Sequence, residues 1–378
     1  MKFINIPEIT IFVSMKIAIT GTRGIPNRYG GFEQFAEQLS VRLALRGHDV
    51  WVYNPSFHPF IDNEFKNVKI IRKFSPEKFC GPAANYIYDF ICIRDAVKRK
   101  ADVILECGYA TTVPALKLLN LRKSKLLINP DGMEWQRPKY GPLLRTIIHR
   151  SEYTIVKMGL KLVCDNPELV DYYSGKYNIE PYYIPYGADI FNDPDERILK
   201  NYNLTPFEYF LVIARFEPEN KLIAIIKGFL LSQCSGKLVI VGDPLNNFGR
   251  KLLKQFQRSP GLFFTKDIFD HNILDNLRHF SRAYFHGHSA GGTNPSLLEA
   301  MAAGSFIIAH DNKFNRNILR ENALYFSNES DITNILLSEN EWINKKDSFV
   351  KSNLYVIEKQ YRWEDVAYKY EDLFKSLF

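Results

Sequence analysis

A chain of 378 residues exceeds a comfortable single core, so two domains are expected, and 46% hydrophobic with 14% aromatic content excludes a disordered chain. Five scattered cysteines without a Cys-x-x-Cys pair argue against zinc and disulfides and fit a reducing cytoplasm; no run reaches the roughly 18 apolar residues of a membrane span. The net charge of +7 is one-sided: residues 1–190 hold 26 Lys and Arg against 19 Asp and Glu, while 191–378 hold 23 of each.

The basic excess includes Arg94, Lys98, Arg99 and Lys100, then Lys117, Arg122, Lys123 and Lys125. It fits either a solvated surface or an anionic partner such as lipid or a polyphosphate acceptor. No nucleic-acid motif accompanies the charge, so nucleic acid is not an expected partner.

Residues 1–14 make a poor signal peptide, with one Lys and a Pro-interrupted apolar run, and are expected to be an appendage. Met15 opens a strand, Lys-Ile-Ala-Ile-Thr, which runs into the glycine-rich loop Gly21 to Glu33. A helix follows with Phe32, Phe35, Ala36, Leu39 and Leu43 on one face and Gly47 as its stop, then a strand at 49–53. Strand, glycine-rich loop, helix, strand opens a parallel α/β domain. The loop lacks Gly-x-Gly-x-x-Gly spacing and a Walker lysine, and the second strand ends in Tyr53-Asn54 where a dinucleotide site wants an acid. Its length and its arginines, Arg23 and Arg28, suit the lining of a cleft.

Further strands are expected at 68–71, 101–106, 125–129 and 160–164. Pro130-Asp-Gly-Met-Glu-Trp135 leaves Asp131 and Glu134 at a strand's carboxyl end, as turn-formers or as cleft groups. Tyr183-Ile-Pro-Tyr-Gly-Ala-Asp189 and the polar stretch 192–196 mark the domain crossing. The second half repeats the alternation, with strands at 209–216, 237–242, 262–265, 283–286, 305–309 and 324–326, and helices including 223–230 and 273–280. Its first strand ends in Arg215-Phe-Glu-Pro-Glu-Asn-Lys221. An amphipathic helix at 361–374 closes the chain.

The stretch His286 to Gly304 reads as a strand end, a turn carrying Gly291, Gly292 and Thr293, and a helix capped by Asn294 with Pro295 first and Ser296 next. The free N–H groups at such a start bind phosphate, and Glu299, one turn in, can accept from vicinal hydroxyls such as a ribose diol. The plainer reading is a capped core helix with one polar residue on its rim. His288 precedes the turn as a further cleft candidate.

Together these pieces resemble a GT-B glycosyltransferase of family 4, the retaining, nucleotide-sugar-dependent class, from Met15 to the C-terminus. The resemblance rests on Gly-Gly-Phe-Glu at 30–33, Ile-Pro-x-Gly-x-Asp at 184–189, Arg-x-x-x-Glu at 215–219 and Leu-Leu-Glu-Ala-Met-Ala-x-Gly at 297–304. Gly-Thr-Arg-Gly-Ile-Pro, Asp-Gly-Met-Glu-Trp and His-Gly-His-Ser-x-Gly-Gly-Thr-Asn-Pro-Ser resemble a bacterial subgroup whose N-terminal domain was catalogued as of unknown function. That subgroup includes rhamnosyltransferases of capsule and cell-wall polysaccharide assembly. Two positions depart from the family: its first glutamate of a pair eight apart is Gly291 here, and Asn220 stands between Glu219 and Lys221.

The resemblance implies an α/β GT-B fold: an acceptor domain at 15–187, a linker at 188–205, a nucleotide-sugar domain at 206–360, and a helix at 361–378 returning to the first domain. The diphosphate would be met without a metal, by Arg215, Lys221, the Gly30-Gly31 backbone and the 292–296 helix start, since the one Asp-x-Asp, Asp193-Pro-Asp195, sits in the crossing. No cofactor is expected beyond the donor. Asp131 and Glu134 are candidates for orienting the acceptor hydroxyl, and Gly291 suits a deoxysugar such as rhamnose. The acceptor is expected to be a saccharide or a lipid-diphosphate-linked saccharide, with peripheral contact at the cytoplasmic membrane face. An epimerase of the same architecture and a silent nucleotide-sugar-binding protein are the competing readings.

Overall fold

A computed structural model describes residues 14–119, 125–137 and 140–378. The expected appendage lies outside them apart from Ser14, as do Arg122 and Lys123 of the basic run.

The first domain is a sheet of β1 (Lys16–Thr20), β2 (Asp49–Pro55), β3 (Glu64–Phe65), β4 (Val68–Lys73), β5 (Val103–Cys107), β6 (Leu126–Asn129), β7 (Lys161–Cys164) and β8 (Tyr182–Tyr183). Their order is β3-β4-β2-β1-β5-β6-β7-β8, parallel except where β3 meets β4. Ile17, Ala18 and Ile19 of β1 are fully buried, as a central strand covered on both faces requires. Covering helices are α1 (Gly31–Leu45), α2 (Glu77–Cys80), α3 (Ala84–Lys98), α4 (Val113–Leu119), α5 (Pro142–Lys157) and α6 (Pro167–Tyr177).

The second sheet holds β9 (Tyr209–Ile213), β10 (Lys237–Val241), β11 (Leu262–Thr265), β12 (Ala283–His286), β13 (Ile307–His310) and β14 (Leu324–Phe326), in order β11-β10-β9-β12-β13-β14 and all parallel. With it come α7 (Leu222–Ser232), α8 (Asn247–Phe256), α9 (His271–His279), α10 (Pro295–Ala302), α11 (Lys313–Leu319) and α12 (Glu329–Leu337). Then follow α13 (Glu339–Trp342), α14 (Lys346–Gln360) and α15 (Trp363–Lys375). This is the α/β fold with two Rossmann-like parallel sheets that the alternation predicts. β9 stops at Ile213 rather than at Phe216, because the chain turns at Ala214 and Arg215 into a short helical turn at 218–220. The two-residue strands β3 and β8 lie at sheet edges and carry too little pattern to be read from sequence.

The last helix packs on the first. Phe35 of α1 has the rings of Tyr186 and Tyr370 at 4.9 and 5.5 Å, and Arg46 pairs with the buried Glu371. The two passages of the chain between the sheets run side by side, with the Ala188 N–H donating to the Tyr361 carbonyl at 2.8 Å.

In each sheet the central strand has a crossover on either side, β1 between β2 and β5, and β9 between β10 and β12. Ligands of such sheets gather at the carboxyl ends where the order reverses. Here the two reversal points face each other, and the loops after β1, β5, β9 and β12 all contribute to one cavity.

Candidate active site

The cavity between the domains has a volume of about 590 Å³, the size of a nucleotide-sugar-scale ligand site. Arg215 enters it from the end of β9, and its guanidinium lies 5.7 Å from the ring of Tyr29 in the glycine-rich loop opposite. Among the described residues no carboxylate pairs with it. Its turn is held by Asn220, whose Nδ2 donates to the Arg215 carbonyl at 2.7 Å and whose Oδ1 lies 3.0 Å from His288 Nδ1.

On α10, Asn294 caps the helix by accepting from the Ser296 N–H at 2.9 Å, with Pro295 in the first position. Glu299 is held at one oxygen: Arg278, fully buried, donates to Oε2 at 2.6 Å and to Ser296 Oγ at 3.1 Å. Oε1 lies 4.0 Å from His271 Nδ1, and both residues line the cavity. A carboxylate fixed at one oxygen keeps lone pairs for a diol. The helix start itself is shared. A Cβ on Gly292 would overlap the Asp165 carboxylate of the first domain, and Thr293 Oγ1 donates to the Asp165 carbonyl. Burial pushes Asp165 well above the usual carboxylate range, and the Asp131 charge adds to it. The first two residues of the 292–296 helix start thus abut a first-domain acid while lining the cavity together with Asn294 and Ser296.

The first-domain wall is a paired one. Arg137, buried, donates to Asp131 and, at 2.7 Å, to Glu134, and the Tyr140 hydroxyl donates to Glu134 at 3.0 Å. Asp131 sits in the left-handed region at φ 65°. Burial raises its carboxyl to about 6, Arg137 opposing and Glu134 adding to the shift. Gly132 passes so close to Gly291 that a Cβ on it would overlap the Gly291 Cα. Gly30 and Gly31 open α1 against Pro295, and Glu33 of the same turn accepts from the Arg23 N–H at 2.7 Å. Arg23 lines the cavity but is paired with Glu77. Deeper in, Asp89 accepts from Thr111 and is raised to about 7 by burial; the adjoining Glu106, raised by burial and by Asp89, accepts from Thr112 at 2.7 Å.

Of the residues expected from sequence, Arg215, Asp131, Glu134, Gly30, Gly31, Gly292, Thr293, Asn294, Ser296, Glu299, Arg23 and His288 come together at this cavity. Lys221, Arg28 and Gly291 do not line it. Lys221 takes φ 52° as the N-cap of α7, and its charge joins burial in lowering His310 to about 4. The position aimed at the cavity is Asn220, one residue earlier. Arg28 sits 5.7 Å over the Phe269 ring, and Gly291 backs onto Gly132.

Residues 195–363 match the family described as glycosyl transferases group 1, and residues 14–189 match a domain of unknown function, DUF1972. The chain has the GT-B fold and carries, at residues 195–363, a domain of the glycosyl transferases group 1 family. Solved structures share the fold across nearly the whole chain. A sucrose-phosphate synthase from Thermosynechococcus elongatus is 15% identical at TM-score 0.77, covering 96% of this chain and 98% of its own. WaaG, a glycosyltransferase involved in lipopolysaccharide biosynthesis, is 14% identical at TM-score 0.70, covering 95% and 99%. HepE of Anabaena, solved with UDP-glucose, is 13% identical at TM-score 0.72, covering 96% and 100%. Among curated proteins none matches the chain.

Sequence reasoning missed Arg137, Asp165, Asp89 and Asn220. Arg137 had a signal, a cation two residues beyond a turn already carrying two acids. The others are recognisable only once the sheets place them.

Proposed function

We propose that the enzyme moves a sugar from a nucleotide-diphosphate sugar to a saccharide or lipid-diphosphate-linked saccharide acceptor in bacterial surface polysaccharide synthesis. The observation that carries this is one cavity holding a guanidinium, Arg215, that among the described residues has carboxylates in its field (Glu33, Asp131, Asp267) but no ion pair, and a carboxylate with one oxygen anchored, Glu299. Those groups complement a diphosphate and a ribose diol.

The anomeric C–O bond to the diphosphate breaks and the acceptor oxygen bonds to the same carbon, with retained configuration. Arg215, Asn294 and Ser296 meet the charge on the leaving oxygens, and this takes most effect as that charge develops. No metal is called for: Asp195 of the Asp-x-Asp caps the turn at 196–202 and pairs with the exposed Arg197. Asp131, oriented by Arg137, holds the acceptor hydroxyl and accepts its proton. A deoxysugar such as rhamnose is the proposed donor sugar, because Gly291 stands where the resembled family carries its first glutamate. Among the described residues no helix is long and apolar enough to cross a membrane, and the contact proposed with a membrane-borne acceptor is a peripheral one.

The test is a thermal-shift screen of dTDP-, UDP- and GDP-linked sugars followed by transfer assays with the stabilising donor. A specific donor raises the melting temperature. No shift with any nucleotide sugar overturns the proposal.

A further inference from the structure

Three helices of the first domain turn an unusual surface outward. In α5 the buried residues Ile148, Ser151, Glu152 and Ile155 form one stripe. The opposite side carries Leu143, Ile147, Arg150, Tyr153 and Lys157 at helical spacing, all exposed, with Leu143 77% exposed. Next to it α4 exposes Lys117 and Leu118, the latter 73% exposed. Beyond α4, which touches both neighbours, α3 exposes Ile87, Arg94, Val97 and Lys98.

The acids of these helices are all withdrawn. Asp89 and Glu152 are buried, and Asp95 is paired with Lys73 at 2.7 Å and with Arg99. The outer surface is thus apolar and cationic with no unpaired carboxylate. Leucine and isoleucine beside arginine, lysine and an amphipathic tyrosine is the composition of an interfacial helix. The position fits as well. α5 begins just after Tyr140, and Arg145 Nη2 donates to the Arg137 carbonyl at 3.2 Å, so this surface adjoins the acceptor wall of the cavity.

We propose that the outer face of α3, α4 and α5 docks on an anionic lipid surface and brings the cleft to an acceptor carried in it. The proposal deepens the reading of the enzyme as one with a lipid-linked acceptor. Vesicle binding is therefore measured without donor or acceptor, so that docking and transfer can fail separately.

The full chain is sedimented with vesicles of phosphatidylcholine alone and with roughly 30% phosphatidylglycerol. Wild type is expected to pellet with the anionic vesicles only, and to be released by salt on the order of 0.5 M. Arg150→Glu with Lys157→Glu is expected to lower binding by about tenfold or more. Leu143→Ser with Ile147→Ser lowers it without changing charge. Lys351→Glu with Lys359→Glu, the same charge change on α14 of the second domain, leaves it within about twofold. Melting curves verify that each variant is folded, and the two variant pairs test the face independently. Equal losses in both charge-reversed pairs, absence of wild-type binding, or a change of oligomeric state in the serine pair with vesicle binding intact each overturns the proposal.

Discussion

The two walls of the cleft treat charge in opposite ways. On the first domain every cation facing the cavity has an acid of its own: Arg23 has Glu77, and Arg137 has Asp131 and Glu134. On the second, Arg215 has none among the described residues, and Glu299 is anchored at only one oxygen. A wall whose charges are already matched is suited to a neutral polyol, because little further attraction is gained by an anion. A wall with an unmatched guanidinium is completed by one. This contrast is what supports the proposed placement of the donor diphosphate on the second domain.

Removing the unmatched cation is the strongest way to break that contrast. Arg215→Ala should lower kcat on the order of 10²–10³-fold, as loss of one preorganised donor does. Its melting temperature should stay near wild type, since no partner is stranded; product-release kinetics alongside a melting curve check both. Glu299→Ala is expected to behave differently. It weakens donor binding by about tenfold and also leaves the buried Arg278 with Asp275 alone, at a cost of up to about 3 kcal/mol. Glu299→Gln, which still accepts from Arg278, should keep most of the stability while losing donor affinity; calorimetric titration of the donor separates the two.

The pH dependence sharpens the comparison on the acceptor side. Asp131, ordinarily near 3.8, is raised to about 6 in the fold, so between those values the native state holds a proton that the unfolded chain has lost. Stability from this group is present at low pH and falls as pH rises toward 6. Asp89, raised to about 7, extends the fall. Asp131→Asn should flatten the part ending near pH 6 and Asp89→Asn the part ending near pH 7, read as melting temperature against pH. In the proposed role Asp131 acts ionised, so transfer by wild type should decline below about pH 6. The smallest effect is expected at Lys221: Lys221→Ala changes kcat by less than about threefold, as befits a residue outside the cavity. Asn220→Ala, which releases the Arg215 turn, should cost about fivefold or more in the same assay.

Much of the architecture was legible because its strands are short, apolar and bounded by glycine, and because α1 and α15 show one apolar face each. The cavity-facing glycines, Asn294 and Glu299 were legible because capping chemistry ties those residue types to a helix start. Sequence spacing cannot register the helical turn at 218–220, which places Asn220 at the cavity lining and Lys221 as the N-cap of α7. Asp165 was visible only as part of a turn, and its neighbour Gly292 lies 127 residues away in the chain. Asp89 sits within an amphipathic pattern where an acid reads as a surface group, and only the packing of α3 on its neighbours, with Thr111 of the loop after β5, buries it.

The paired passages at Ala188 and Tyr361 act like two pins of one door hinge. Because the chain goes out through one pin and returns through the other, both crossings are held side by side at one place between the sheets. Gly132 and Gly291 meet as bare latch plates, and a side chain on Gly132 would run into the Gly291 backbone.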